Sequence, residues 1–315
     1  MLDHRLDTFL AVCQTMSYTQ AAQQLHLTQP AVSQHIRYLE EAYGVALFTY
    51  AHKKLQLTPA GNLLLQAVTT MRHDTLFLRE RMQALEQPQR SLRFGATLTI
   101  GEFVLATPLA LYCKKHPEVH LQLQVGNTQT LLEQINQGEL DFALVEGYYD
   151  RSEFDALIYS TQDFLPVCSP RFPFKKMPKR FEDLLPYPLL VREKGSGTRE
   201  VLEKFLQSKN YRVTDFASCL EIGSIHVLKA LLLQEVGVAF LYRAAVQQEL
   251  KKGLLQVLPL ENVHLRHEFA FVWRKGSIFS QDYFSFFQQL QTLTLPAAQG
   301  QTRWEPFLSE PEVKN

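Results

Sequence analysis

A chain of 315 residues is longer than one typical domain, so two or three are expected, and its 46% hydrophobic and 20% charged content is that of an ordinary globular protein. Basic and acidic residues balance at 32 each, which excludes a uniformly basic nucleic-acid coat. No apolar run is long enough to span a membrane, the opening stretch MLDHRLDTFLAVCQTM lacks the order of a secretion signal, and a cytoplasmic location is expected.

Leu6, Phe9, Leu10 and Cys13 recur at helical spacing and predict a first helix over 4–15. The stretch Ser17–Arg37, SYTQAAQQLHLTQPAVSQHIR, predicts two short helices joined by a tight turn. Ser17 or Thr19 starts the first, with Gln20 three residues after Ser17 as in a capping box. Ala21 and Ala22 let another helix pack closely. The break falls at His26-Leu27-Thr28, where Thr28 is a natural N-cap. Pro30 sits beside Ala31 in the first turn, where its missing N–H costs nothing. In the second helix Val32, Ile36, Leu39 and Tyr43 follow 4-3-4 spacing and are expected to face inward. Gln29, Ser33 and Arg37, with Gln34, are expected to face outward as a polar stripe that can hydrogen-bond base edges or phosphates. An ordinary buried helical hairpin is the alternative for this pattern alone.

Gly44 supplies a C-cap, and LFTY (47–50) and LQLT (55–58) are strand-like runs around a tip carrying His52, Lys53 and Lys54. In isolation that tip is a solvated turn. Behind three helices it completes a winged helix-turn-helix, with a basic hairpin beside a major-groove helix. Within residues 1–60, Arg5, Arg37, Lys53 and Lys54 are balanced by Asp3, Asp7, Glu40 and Glu41. One copy therefore gains little from counterion release, and DNA binding calls for a dimer or larger.

Thr58-Pro59 starts a helix that meets no further proline before Pro88. Leu64, Val68, Met71, Thr75, Leu78, Met82 and Leu85 run 4-3-4-3-4-3 along it as a heptad seam. A helix on the order of 43 Å long has more seam than a small winged domain covers, so pairing with a second copy is expected. Gln87-Pro88-Gln89 is a hinge candidate. Beyond it strands alternate with helices: a strand at Leu92–Leu98, a helix at Gly101–Lys115, a strand at Val119–Val125, a helix at Thr128–Gln137 and a strand at Asp141–Val145. A second set follows at Leu189–Val191, a helix from Thr198, Ala217–Ile222, Ser224–Gln234 and Val238–Leu241. This alternation predicts a parallel, right-handed α/β sheet, with Phe164–Cys168 and Phe269–Trp273 crossing between two subdomains. A last helix covers 281–294. The expected division is 1–58 for the winged domain, 59–88 for the linker helix and 89–295 for a two-lobed α/β domain, leaving a polar tail over 296–315. One lobe takes 89–163 with 268–295, the other 164–267.

The blocks AAQQLHLTQPAVSQHIRYLEEAYGVALF (21–48), LTPAG (57–61), GELDFALVEG (138–147), GSGTR (195–199) and GVAFLY (237–242) resemble those of LysR-type transcriptional regulators, over nearly the whole chain. The resemblance implies a winged helix, a dimerising linker helix and a two-lobed domain like periplasmic solute-binding proteins. It also implies double-stranded promoter DNA, a small effector and RNA polymerase as partners, and a tetramer built from homodimers. The family usually places Arg two residues after the Leu-Phe pair, where this chain has Tyr50. GSGTR with GNT and LVEG is similar to regulators of sulfur assimilation, which implies sulfite, sulfate or a related oxyanion as effector. An aromatic carboxylate or amino-acid derivative is the alternative.

In two-lobed α/β domains the ligand lies beyond the carboxyl ends of the strands. Four segments put strand ends and helix starts there: Thr97, Thr99, Ile100 and Gly101; Asn127 and Thr128; Gly195, Ser196, Gly197 and Thr198; Gly223 and Ser224. Each alone is more often a plain N-cap. Together their amides and hydroxyls suit a small anion. Arg192, Lys194 and Arg199 add charge, while Glu146 opposes a second anionic group or accepts from a donor on the ligand.

Cys13, Cys113, Cys168 and Cys219 form no CxxC pair and are expected to be buried reduced thiols; no metal or cofactor is expected. A solute-binding protein with a fused helical module is a second class of function. An enzyme is a third, disfavoured because GSGT comes with no nucleophile–base pair, no GxxxxGK[ST] and no GxGxxG.

Overall fold

A computed structural model of the chain describes residues 3–86, 90–261 and 263–294. Helices α1 (His4–Thr15), α2 (Tyr18–Gln24) and α3 (Gln29–Tyr43) pack around Phe9, Val12, Ala21, Val32 and Ile36. The Ser17 hydroxyl accepts from the Gln20 amide and the Thr28 hydroxyl from the Ala31 amide, so both caps form where the sequence places them. Tyr43 departs from the expected inward stripe. It is 53% exposed, because the last turn of α3 runs past the core before Gly44 ends it.

Strands β1 (Phe48–Ala51) and β2 (Lys54–Leu57) form the antiparallel wing. Its two-residue turn, His52-Lys53, has positive φ at both positions (51° and 63°), the geometry that suits the twist of a tight hairpin. The Glu40 carboxylate accepts from the Leu47 amide at 2.8 Å and fixes the wing against the end of α3.

Helix α4 (Pro59–Glu86) starts where Thr58 accepts from the Gly61 amide. Its seam divides. Val68 is buried and Leu64 partly buried in the winged domain's own core, whereas Met71, Leu78 and Met82 are 44–61% exposed. Leu64 and Val68 are therefore spent within the chain, contrary to a continuous dimer seam. A 3.5-residue repeat drifts about 20° per heptad on a straight helix, so its two ends face different neighbours. The Leu85 side chain, the 87–89 hinge and the 296–315 tail lie outside what the structure describes.

The rest is one mixed sheet with helices on its faces. Its elements in order are β3 (Arg90–Thr97), α5 (Leu98–Phe103), α6 (Ala106–Lys115), β4 (Val119–Gly126), α7 (Thr128–Gln137), β5 (Phe142–Val145) and β6 (Phe154–Cys168). Then come β7 (Pro188–Val191), α8 (Gly197–Ser208), β8 (Ser218–Glu221), α9 (Ile225–Leu233), β9 (Val238–Tyr242), α10 (Arg243–Lys251), β10 (Gln256–Val257), β11 (Leu265–Arg274) and α11 (Ser280–Thr294). The strand order is β4-β3-β5-β11-β6-β9-β7-β8, with β10 also on β6. Within each lobe the consecutive strands pair in parallel: β3 with β4 and β5, and β7 with β8 and β9. The long strands β6 and β11 run antiparallel to each other from one lobe into the other, so the sheet is not purely parallel. The helix expected over Gly101–Lys115 is two helices, α5 beginning at Leu98 and α6 after a break at Val104-Leu105. Among the cysteines only Cys168 is buried. Cys13 is half-buried, and Cys113 and Cys219 are exposed on α6 and on β8 at the sheet edge.

Helix α4 is docked onto the first lobe by buried polar groups. Asp74 accepts from the Ser277 hydroxyl at 2.6 Å and the Ile278 amide at 2.9 Å, and the His73 imidazole lies 3.2 Å from the Leu140 carbonyl. Gly138, at φ 77°, lets the end of α7 meet Leu76 and His73 directly. No helix among the described residues is long and apolar enough to cross a membrane.

Candidate functional site

Two regions gather the expected functional residues. On the winged domain, Gln29, Pro30, Gln34 and Arg37 are exposed along the outer side of α3, with Ser33 and Ala31 half-buried beside them. Gln29 Nε2 donates to Ser33 Oγ at 2.9 Å, and Arg37 Nε to Glu41 Oε1 at 3.1 Å. Both pairs are exposed, so each is cheap to exchange for a partner on another molecule. Thr19, Gln20 and Thr28 are exposed around the turn and Ser17 is partly covered. His52, Lys53 and Lys54 are exposed at the wing, beside Tyr50 at 70% exposure. Glu40, one of the acidic charges of this domain, accepts from the Leu47 and Phe48 amides and is part of the wing's framework.

The second region is the boundary between the lobes, organised by Glu146. This residue follows β5 and is 1% exposed. Thr97 Oγ1, at the end of β3, donates to its Oε2 at 2.8 Å, and Thr99 Oγ1, in α5, to its Oε1 at 3.0 Å. From the other lobe Thr198 Oγ1, in α8, donates to Oε1 at 2.6 Å. Thr128 Oγ1 donates to the Glu146 backbone carbonyl at 2.7 Å. The hydroxyls expected to serve an anion are thus gathered at one place, and the chain's own carboxylate takes them. Burial pushes the Glu146 carboxyl above its ordinary value of 4.5, against the pull of Thr198, Thr97, Thr99 and the Arg192 charge.

Backbones meet closely at this boundary. A Cβ on Gly197 would collide with the Glu146 carbonyl, and one on Gly147 would come within 2.6 Å of Gly197 Cα. The Gln129 amide donates to Gly195 O at 3.2 Å, and the Tyr148 amide to Glu200 Oε2 at 3.1 Å. Ser196, by contrast, makes no side-chain cap for α8. Asn127 and Ser224 are caps, for α7 and α9, and Gly223 is exposed. Ile100 is buried and Gly101 half-buried inside α5 rather than at a strand end. The basic residues expected to add charge are engaged: Arg192 with Glu193 at 2.8 and 2.9 Å, Arg199 with Glu203 at 2.7 Å and Glu221 at 2.5 Å. Lys194 lines a cavity of about 540 Å³ between α7 and α8 together with Gln129, Tyr148 and Arg199. Among the described residues no group of three His, Cys, Asp or Glu could hold a metal ion.

The sequence and fold match known proteins along most of their length. Residues 4–62 match the bacterial regulatory helix-turn-helix protein of the lysR family, and residues 85–294 the LysR substrate binding domain. The chain is 29% identical over 273 residues to the transcriptional regulator CysL of Bacillus subtilis, covering 85% of this chain and 89% of that protein. It is 29% identical over 295 residues to the RuBisCO operon transcriptional regulator of Acidithiobacillus ferrooxidans, covering 91% and 92%. Among solved structures, an H2O2-bound mutant of Corynebacterium glutamicum OxyR superposes with a TM-score of 0.58 at 20% identity, covering 92% and 91%. The regulatory domain of Synechocystis CcmR in complex with 2-PG superposes at 0.59 and 19% identity, covering 65% of this chain and 98% of that one. These relatives are transcriptional regulators, not enzymes. With both family profiles matched in chain order, the chain belongs to the LysR family of DNA-binding transcription regulators and carries that family's effector-binding domain.

Proposed function

We propose that the chain acts as a dimer or tetramer that reads a partly palindromic promoter site, and that a small anionic effector held between the lobes shifts the arrangement of its subunits. The observation that carries this reading is the Glu146 carboxylate, held by Thr97 and Thr99 from one lobe and Thr198 from the other. A ligand that takes any of these donors changes the bonds between the lobes. It therefore has different affinity for two lobe arrangements, which is the requirement for a population shift. Glu146 also sets a condition: an anion beside a buried carboxylate must bring a donor of its own.

For DNA, the outer stripe Gln29, Ser33, Gln34 and Arg37 enters the major groove, with His52, Lys53 and Lys54 against the backbone. The division into a winged domain (1–58), a linker helix (59–88) and an effector domain (89–295) assigns dimerisation to the part of α4 beyond Val68, with Met71, Leu78, Met82 and Leu85 facing a second copy. Contact with RNA polymerase and residence in the cytoplasm complete the reading. An aromatic carboxylate or amino-acid derivative is the second effector class, the latter supported by the relative LysG of Corynebacterium glutamicum, solved with bound effector Arg. Footprinting of a promoter fragment tests the DNA half. Sequence-selective protection is expected and is lost in Arg37→Ala or Ser33→Ala; no selective binding even at low salt would overturn it. Thermal-shift screening of the full chain against oxyanions, aromatic carboxylates and amino acids tests the effector half.

A further inference from the structure

Every hydroxyl that faces Glu146 is spent on it, yet one polar atom at the same boundary is not. The Tyr242 hydroxyl is buried and has no hydrogen-bond partner among the described residues, in a side chain only 1% exposed. Tyr242 is the last residue of β9, at the carboxyl end of the strand, and α10 starts immediately after it. Its ring is held by Phe164 at 4.9 Å, its register partner on β6, and by Phe269 at 4.8 Å on β11. With the ring pinned by both crossing strands, the hydroxyl cannot swing away to another acceptor. Removing a phenol O–H from water without returning a partner is unfavourable, so a ligand that brings an acceptor to this hydroxyl relieves that penalty.

The groups around this hydroxyl define the chemistry. Burial first, then the neighbouring Glu146 and Tyr148 groups, hold the phenol well above its ordinary ionisation range, so it stays a donor at neutral pH. Glu146 brings a carboxyl group to the same boundary, and when ionised it is an acceptor. A ligand seated against both must accept from one and donate to the other.

We propose that Tyr242 is a specificity-determining residue of the effector cleft: its hydroxyl donates to one oxygen of a small oxyacid whose own remaining proton is given to Glu146. This rests on the effector-cleft reading above and sharpens it, because the Tyr242 donor and the Glu146 acceptor together select oxyanions that carry a proton over fully ionised ones of the same shape. The asymmetry is strong in such sites. A buried hydrogen-bonding group left unpaired by the wrong ligand discriminates far better than an apolar wall does.

The test uses the full chain and three probes in calorimetric titrations: phosphate and sulfite, which carry a proton at or just below neutral pH, and sulfate, which does not. Wild-type protein is expected to bind a proton-bearing probe more tightly than sulfate. Tyr242→Phe, which keeps the ring, is expected to weaken the binding of every oxyanion probe about tenfold, to leave the preference over sulfate in place, since that preference belongs to Glu146, and to leave promoter footprints unchanged without a probe. Its melting temperature is expected to equal or exceed that of wild type, since it removes an unpaired polar atom. Equal affinities in Tyr242→Phe and wild type would overturn the proposal. So would a lower melting temperature, which would reveal a structural partner for the hydroxyl. If no oxyanion binds but arginine or an aromatic carboxylate shifts the wild-type melting curve and not that of Thr198→Phe, this proposal fails and the cleft stands. If no compound of any class acts there, both fail.

Discussion

Thr198 Oγ1 donates to Glu146 Oε1 at 2.6 Å, joining the start of α8 in one lobe to the end of β5 in the other. Thr198 is 3% exposed and the Gly197 backbone beside it packs onto the Glu146 carbonyl, so neither residue can move without parting the lobes. A bulky side chain here, as in Thr198→Phe, is therefore expected to abolish effector-dependent transcription. Promoter binding is expected to survive, because the winged domain shares no core with this boundary. Reporter assays with and without effector, beside footprinting, check both halves. An unchanged effector response would rule out this cleft as the site.

Glu146 gives the protein a pH dependence of defined sign. Its folded pKa lies above the ordinary 4.5, so the native state holds the proton more tightly than the unfolded chain. The group costs nothing below pH 4.5, and stability falls as pH rises from there through the folded value, by at most about 1.4 kcal/mol per pH unit. Glu146→Gln cannot titrate. Denaturant unfolding of the two proteins at a series of pH values is expected to show wild type losing stability relative to the variant across that window. A flat difference would show that the hydroxyl donors cancel burial, and one that grows in the opposite direction that they outweigh it.

The helical spacings and the alternation of strands with helices that produce the fold are plain in the residues. Ser17, Thr28, Asn127 and Ser224 cap the helices they were expected to start, because a cap is a local contact three residues long. What the residues did not disclose is tertiary. Glu146 lies 47 to 52 positions from the hydroxyls that hold it, and four hydroxyl segments at strand ends look alike whether they serve a ligand or a carboxylate. Tyr242 closes an apolar strand and reads as core until its hydroxyl is seen without a partner. The division of the α4 seam depends on which neighbour each turn meets, and Tyr43 on where the core stops, neither of which is a property of spacing.

The exposed part of that seam predicts its own partner. Met71, Leu78 and Met82 are each at least 44% exposed along one helix, a run of apolar side chains that a second copy of α4 would cover. The double substitution Met71→Glu with Leu78→Glu is expected to leave the melting temperature nearly unchanged while shifting the protein toward monomer in sedimentation. Promoter affinity at moderate salt is expected to fall at least tenfold, since a single neutral winged domain makes few phosphate contacts. An assembly state identical to wild type would mean that copies associate elsewhere.

Asp74 and Arg81 both tie α4 to the effector domain, and their burial separates their roles. Arg81 pairs with Asp282 at 2.8 and 3.0 Å, but the two side chains are 38% and 34% exposed, so solvent screening leaves the pair worth under about 1 kcal/mol. Asp74 is buried, and removing its carboxylate strands the Ser277 hydroxyl, the Ile278 amide and the His73 ring nitrogen beside it. Asp74→Ala is expected to cost about 2–5 kcal/mol in urea unfolding, and Arg81→Ala little. The larger consequence is functional. If α4 follows the first lobe because Asp74 holds it there, Asp74→Asn, which keeps the shape and one acceptor, should bind effector and promoter with near-normal affinity yet transmit less between them. A full transcriptional response in Asp74→Asn at a lowered melting temperature would reduce this network to a stabilising contact with no part in signalling.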